Sequence, residues 1–160
     1  MKARFAIALI AIAMLCASAA AQENTAEDWY QKGQELMEND SHEEALQAFD
    51  KAIEINQSYA FAWGGKGYVL YNMGRYEEAI AAWDRAIELE PDEFYSGSKW
   101  EMKGKVLEIL GRNEESAQAY ERALELADKA VTEYKTSTDL NLSAAWGFKG
   151  QLLDEQGRYV

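Results

Sequence analysis

The chain has 160 residues, of which 28% are charged and 48% hydrophobic; this is the composition of a globular protein and excludes a disordered tail. Its 28 acidic residues outnumber its 16 lysines and arginines, and the formal net charge is −12. A surface of this sign repels nucleic-acid phosphates and anionic lipid headgroups, so we expect neither as a partner.

The first 21 residues differ in character from the rest. Lys2 and Arg4 precede an apolar run over residues 5–16, and the small residues 17–21 end in three alanines. This order of basic, apolar and small residues predicts a signal peptide over residues 1–21 that is cleaved on export. The alternative is an uncleaved membrane anchor, because the apolar segment is at the lower limit for a bilayer span. We therefore expect residues 22–160 to work outside the cytoplasm, as a secreted, periplasmic or cell-surface domain.

Cleavage of that segment would remove Cys16, the only cysteine of the chain. The remaining domain could then form neither a disulfide nor a thiolate metal site. His42, the only histidine, lies in a predicted turn without other metal-ligating residue types beside it. We accordingly expect no metal and no cofactor.

One motif, Trp-x-x-Lys-Gly-x-x-Leu, occurs four times along the remaining chain. The copies begin at Trp29, Trp63, Trp100 and Trp146, with spacings of 34, 37 and 46 residues. Each copy opens a run with helical periodicity, and a break follows it. A second amphipathic run follows each of the first three breaks. The pattern predicts antiparallel helix pairs.

Short-range signals mark the ends of these helices. Gly74, Gly111 and Gly157 suit helix C-termini that turn back sharply. Ser41 and Glu44 have the spacing of a capping box for the second helix of the first unit. In the third unit the apolar stripe continues past the expected end and predicts one long helix from about Glu114 to Lys135.

These residues resemble the tetratricopeptide-repeat family, whose 34-residue pattern is W-x2-L-G-x2-Y…A-x3-F…P. The resemblance implies an all-α fold, a right-handed superhelical solenoid of antiparallel helix pairs. The units are expected at about residues 26–59, 60–93, 97–142 and 143–160; the third has an extended second helix and the fourth is incomplete. The chain departs from the family pattern in having lysine at the usual leucine position. We expect its methylenes to pack while the ammonium reaches water.

The glycine of each motif is expected to let the paired helices approach closely, and the tryptophans to fill the space between neighbouring units. The extra turns of the third unit, marked by Leu126, Val131 and Tyr134, should dock against the helix of the fourth motif. Acids and bases alternate along the second helices and predict a solvated convex face with i,i+4 ion pairs.

In the family, the first helix of each pair lines a concave groove that holds a peptide. The resemblance places eight residues of this chain in such a groove, aromatic in its first half and more acidic in its second: Tyr30, Gln34, Phe61, Tyr68, Tyr71, Glu101, Lys105 and Glu108. We expect the three tyrosines to be the chief contacts, and Tyr68→Ala to weaken binding with little effect on stability. Glu101 and Glu108 should favour a basic stretch of the partner.

Two further observations bear on the groove. The clamp for acidic C-termini in chaperone-binding relatives uses lysine, asparagine and arginine; its positions here hold Tyr30, Gln34, Gly65, Ser98 and Met102, so this mode is excluded. Gly64 and Gly65 interrupt a predicted helix. They either leave room for a ligand backbone or form a weak turn without function.

The sequence contains no nucleophile–base pair, metal cluster or phosphate-binding loop, so we expect no enzyme activity. The leading hypothesis is a monomeric, non-catalytic scaffold that binds a protein or peptide at the cell envelope. The alternatives are an accessory protein for a small ligand and the regulatory subunit of an envelope enzyme. The protein would contact a membrane only if the N-terminal segment stayed uncleaved and served as an anchor.

Overall fold

A computed structural model of the chain describes residues 25–89, 93–134 and 147–149. Six helices occupy these residues, in chain order: α1 Ala26–Glu38, α2 His42–Ile55, α3 Ala60–Asn72, α4 Tyr76–Leu89, α5 Glu93–Ile109 and α6 Asn113–Tyr134. Each odd-numbered helix packs on the helix that follows it, and successive pairs stack. The described residues contain no strand, and the expected all-α repeat array is confirmed. The predicted signal peptide over 1–21, Pro91, and most of the predicted unit 143–160 lie outside the described residues.

The turn inside each pair follows one design. Gly74 and Gly111 both have φ 73°. The amides that follow them, at Arg75 and Arg112, donate back to helix carbonyls at 2.8 Å in both cases. Glycine adopts this left-handed conformation without strain, so the expected role of both glycines is confirmed. In the first pair, Asp40 takes the same position with φ 56°.

The predicted capping box at Ser41 is wrong. The Ser41 side chain makes no cap hydrogen bond. The Ser41 amide instead donates a hydrogen bond to the Leu36 carbonyl at 2.9 Å and so closes the turn after α1. Ser41 therefore belongs to this turn and does not adopt a capping conformation. A capping box forms instead at the start of α1, where the Asp28 amide donates to Thr25 Oγ1 at 3.1 Å and the Thr25 amide donates to Asp28 Oδ2 at 3.1 Å.

The core is built from aromatic rings that the second helices press against glycines of the first helices. Phe49 and Trp83 are both 0% exposed. A Cβ atom at Gly33 would lie 2.6 Å from the Phe49 ring, and one at Gly67 would lie 2.3 Å from Trp83 Nε1. Gly104 stands in the same relation to the ring of Tyr120, at 2.9 Å. The expected role of the motif glycines is confirmed.

The three described motif tryptophans, Trp29, Trp63 and Trp100, are only half-buried, unlike Phe49 and Trp83 on the second helices. A lysine ammonium lies over each of these three indoles, with Lys32, Lys66 and Lys103 at 4.8, 5.6 and 4.3 Å from the respective ring centres. Cation–π contacts of this kind stabilise by about 0.5–1 kcal/mol at exposed sites.

The motif lysines of the second, third and fourth units each tie their unit to the unit before it. Lys66 Nζ lies 2.6 Å from Asp50 Oδ1, and Lys149 Nζ lies 2.5 Å from Asp128 Oδ1. Lys103 makes the equivalent ion pair with Asp84. The lysine that departs from the family pattern thus bridges unit boundaries, whereas the sequence predicted only that it would reach water.

The predicted long helix of the third unit is confirmed as α6. Its later turns are covered: Ala127, Ala130 and Val131 are buried. Phe148, from the fourth motif, packs against the Tyr120–Ala127 cluster, which agrees with the expected docking of this motif. The side chain of Tyr134 lies outside the described residues.

Candidate functional site

Three aromatic rings meet where the first and second units adjoin. The ring centre of Tyr30, on α1, lies 5.5 Å from that of Tyr59 and 6.1 Å from that of Phe61, and the last two are 5.8 Å apart. All three residues are half-buried. We call Tyr30, Tyr59 and Phe61 the aromatic triad. The structure brings together two residues predicted for the groove and adds Tyr59 to them.

The aromatic triad has a polar edge at Glu27. The Tyr59 hydroxyl donates to the carboxylate of Glu27. Gln31 Nε2 donates to the other oxygen, Oε1, at 2.9 Å. A carboxylate can accept about four hydrogen bonds, so Glu27, which is exposed, keeps capacity for a further donor.

Sequence reasoning missed Tyr59 because it searched only the first helices for groove residues. Tyr59 is the residue immediately before α3, at its N-cap position. One signal in the sequence could have identified Tyr59. It is an aromatic residue directly before the second unit, and the second residue of that unit, Phe61, was already predicted to line the groove.

Tyr68 and Tyr71 face the core more than the sequence predicted. Their ring centres lie 5.5 and 6.3 Å from that of Trp83, and both residues pack against the Trp83 cluster. Burial raises the pKa of the Tyr68 phenol, and a hydrogen bond with the Ser98 side chain partly offsets this rise. We therefore expect Tyr68→Ala to lower stability as well as binding, because that change removes a ring packed on Trp83.

The more acidic half of the predicted groove is also different from the expectation. The side chain of Glu101 is only 8% exposed and is paired with Lys105, with Nζ 2.6 Å from Oε1. Glu101 therefore does not present a carboxylate to a basic partner in the expected way. Glu108 and Gln34 are exposed on their helices.

Both glycines of the α3 interruption are explained by packing within the chain. A Cβ at Gly65 would lie 2.6 Å from the ring of Phe49, and one at Gly64 would lie 3.1 Å from Cε of Lys99. Gly65 is therefore required by the core. Lys99 of the third unit occupies the space beside Gly64. The two glycines therefore neither leave room for a ligand backbone nor form a weak turn without function.

The second helices carry exposed ion pairs, as expected, but their spacing is i,i+3 rather than i,i+4. The bases precede the acids: Lys51–Glu54, Arg85–Glu88 and Arg122–Glu125. Between α2, α3 and α4 lies an open depression of about 400 Å3 beside Trp63 and Arg85. Its carboxylates Asp50 and Glu54 are already paired with lysines.

The described ranges contain neither a metal-binding cluster nor a bilayer-spanning helix. No three residues among His, Cys, Asp and Glu are grouped there as a metal ion would require. Within the same ranges, no helix combines the length and the apolarity that crossing a bilayer requires.

Comparison with protein-family models identifies the repeated unit. A model described as tetratricopeptide repeat matches residues 26–59 and 60–93, and a second model of the same description matches residues 100–130. No curated protein sequence matches the chain.

Solved structures of similar architecture include the MamA protein, with 28% sequence identity and a TM-score of 0.63 over 74% of this chain and 62% of that one. This chain therefore spans less than two thirds of the MamA chain. A chain of the CopN–Scc3 complex matches with 16% identity and a TM-score of 0.67, covering 82% of this chain and 68% of that one.

The second tetratricopeptide domain of Spaghetti (RPAP3), bound to the HSP90 peptide SRMEEVD, matches with 20% identity and a TM-score of 0.60, covering 68% of this chain and 98% of that one. The similarity to this domain and to the CopN–Scc3 chain shows the fold alone.

Proposed function

Because the chain belongs to the tetratricopeptide-repeat family, we propose that it is a non-catalytic scaffold that binds a protein or peptide segment along its first helices. Domains of this family commonly act as protein–protein interaction scaffolds. The observation that carries the proposal is the aromatic triad, whose three rings meet at the boundary of the first two units and remain half-buried. Half-exposed aromatic rings offer a large contact area at small entropic cost.

The peptide-bound Spaghetti domain supports this proposal, because its architecture matches over nearly its whole length. The bound peptide of that structure is acidic. In this chain, the five positions that correspond to the clamp for acidic C-termini contain no lysine or arginine. We therefore propose a partner segment that is not acidic.

Selection of peptides from a displayed random library on the purified full chain tests this function. We expect selected peptides to compete for one site, and Phe61→Ala to weaken them about tenfold, as loss of an aromatic anchor does at interfaces. The matched control is Ile109→Ala, since Ile109 is 54% exposed at the end of α5, in the third unit. A library that yields no specific binder would overturn the proposal. Equal weakening by both variants would show that the triad is not the site.

We also propose that the scaffold works outside the cytoplasm after removal of residues 1–21. The support is the order of basic, apolar and small residues in that segment. Intact mass spectrometry of the exported protein should find a chain that begins at Gln22. A mass that includes Met1 to Ala21 would favour the membrane-anchored alternative instead.

A further inference from the structure

We propose that Asn56 carries an N-linked oligosaccharide, which is transferred to its carboxamide nitrogen from a lipid-linked donor during export. The inference rests on the proposed export of the chain, because the sequence Asn-x-Ser is an acceptor of such sugars in secreted proteins. It is independent of the partner that the first helices bind.

The acceptor motif Asn-x-Ser, with a residue other than proline in the middle, occurs at Asn39, Asn56 and Asn141. Asn39 directly follows α1 and Asn56 directly follows α2, and both residues are exposed. Asn141 lies outside the described residues. A motif this short occurs often by chance, so the hydrogen bonds of each carboxamide have to distinguish the two described sites.

The carboxamide of Asn56 is held through its oxygen. The Ser58 amide donates to Asn56 Oδ1 at 3.0 Å, and the Tyr59 amide donates to the Asn56 backbone carbonyl at 3.1 Å. These two bonds fix the turn that joins the first unit to the second. Asn56 Nδ2 donates to no acceptor within the described part of the chain. Because Nδ2 is the atom that receives the sugar, a glycan at this position breaks no described contact.

The surroundings of the turn leave room for a bulky group. Ser58 is exposed, and Ile55, which directly precedes Asn56, is 46% exposed. Gln57 lines the open depression of about 400 Å3 beside Trp63. An oligosaccharide on Asn56 would therefore extend over an open surface into water, where it adds solubility.

Asn39 differs from Asn56 in the atom that the fold uses. Asn39 Nδ2 donates to the Glu35 carbonyl at 2.8 Å at the end of α1. The next residue, Asp40, has φ 56° and turns the chain back sharply. A sugar on Asn39 would take one of the two hydrogens of Nδ2 and place a bulky group against the last turn of α1. We therefore expect Asn39 to stay unmodified, so it serves as an internal control.

The reaction joins Asn56 Nδ2 to the anomeric carbon of the sugar. The donor is an oligosaccharide that is bound through this carbon to a lipid phosphate. The new C–N bond forms as the bond between the anomeric carbon and the phosphate oxygen breaks. The lipid phosphate leaves with the electron pair, and Nδ2 loses one proton to a base of the transferring enzyme. The second recognition element is the Ser58 hydroxyl, which makes no hydrogen bond within the described ranges.

Peptide mass spectrometry of the exported protein tests this assignment. Trypsin cleaves after Lys32, Lys51 and Lys66, so the two described motifs fall on separate peptides, 33–51 and 52–66. We expect most copies of peptide 52–66 to carry an added oligosaccharide mass and peptide 33–51 to have the mass of its amino acids alone.

Three variants connect the added mass to the motif. Ser58→Ala keeps the backbone amide that donates to Asn56 Oδ1 and removes only the hydroxyl, so it should abolish the added mass and leave the circular dichroism spectrum unchanged. Ser58→Thr should retain the added mass, because threonine also completes the motif. Asn39→Gln is the matched control and should leave the mass of peptide 52–66 unchanged.

The outcomes separate this inference from the proposed export. An exported chain that begins at Gln22 and has only unmodified peptide 52–66 would overturn the glycosylation and leave the export in place. A chain that stays in the cytoplasm without sugar would overturn both. Sugar on peptide 33–51 alone, or an added mass that survives Ser58→Ala, would also overturn the assignment to Asn56.

Discussion

Replacing Trp83 by alanine is expected to lower the free energy of unfolding by about 3–5 kcal/mol, the usual cost of deleting a buried aromatic ring. Trp83 is 0% exposed and packs with Leu70 of α3 and Val106 of α5. It therefore holds three helices from two units together. A loss of this size is a large fraction of the total stability of a small domain.

Two control variants make this expectation specific. Trp83→Phe should cost far less, because Phe49 fills the equivalent place in the first unit and because Nε1 of Trp83 has no hydrogen-bond partner among the described residues. Trp63→Ala should cost less, about 2 kcal/mol, because Trp63 is only half-buried. It loses its packing on the edge of the Trp83 cluster, its bond to the Gln57 carbonyl at 3.0 Å and its contact with Lys66.

Urea denaturation followed by circular dichroism measures all three variants. A cost for Trp63→Ala equal to that of Trp83→Ala would contradict the structure. It would show that Trp63 contributes as much to the packing as the fully buried Trp83.

The second large effect is expected at a glycine. Gly67→Ala should lower the free energy of unfolding by about 1–3 kcal/mol, the cost of overpacking a core, although alanine is the better helix former. The added methyl group would lie 2.3 Å from Nε1 of Trp83, and that ring has no free space into which it can move.

Gly64→Ala is the matched control on the same helix. Its methyl group would meet only the flexible end of Lys99, at 3.1 Å, so the helical preference of alanine should leave stability unchanged or raise it by about 1 kcal/mol. Thermal melts of the two variants decide the comparison. Combining Gly67→Ala with Trp83→Phe should recover part of the loss, because the two positions contact each other. Independent, additive effects would show that the clash is not the cause.

Periodicity and spacing alone were sufficient for the architecture. The motif Trp-x-x-Lys-Gly-x-x-Leu, repeated at spacings of 34, 37 and 46 residues, predicts helix pairs. Glycines at the breaks predict the turns at Gly74 and Gly111, and the continued apolar stripe of the third unit predicts the long helix α6. These features are local: they depend on one helix and its hairpin partner, so a single unit contains the information that specifies them.

Only the tertiary structure decided which of the predicted groove residues pack on the core. Tyr30, Tyr68 and Tyr71 were all expected to face the groove, yet two of them pack on Trp83 while Tyr30 joins Tyr59 and Phe61. The ion pairs across unit boundaries could not be predicted from the sequence either, because the partner of each lysine lies 16 or more residues earlier in the chain. The exposure of a side chain in a stacked array depends on the size and direction of the side chains in the adjacent unit. The sequence pattern of one unit does not specify that size and direction.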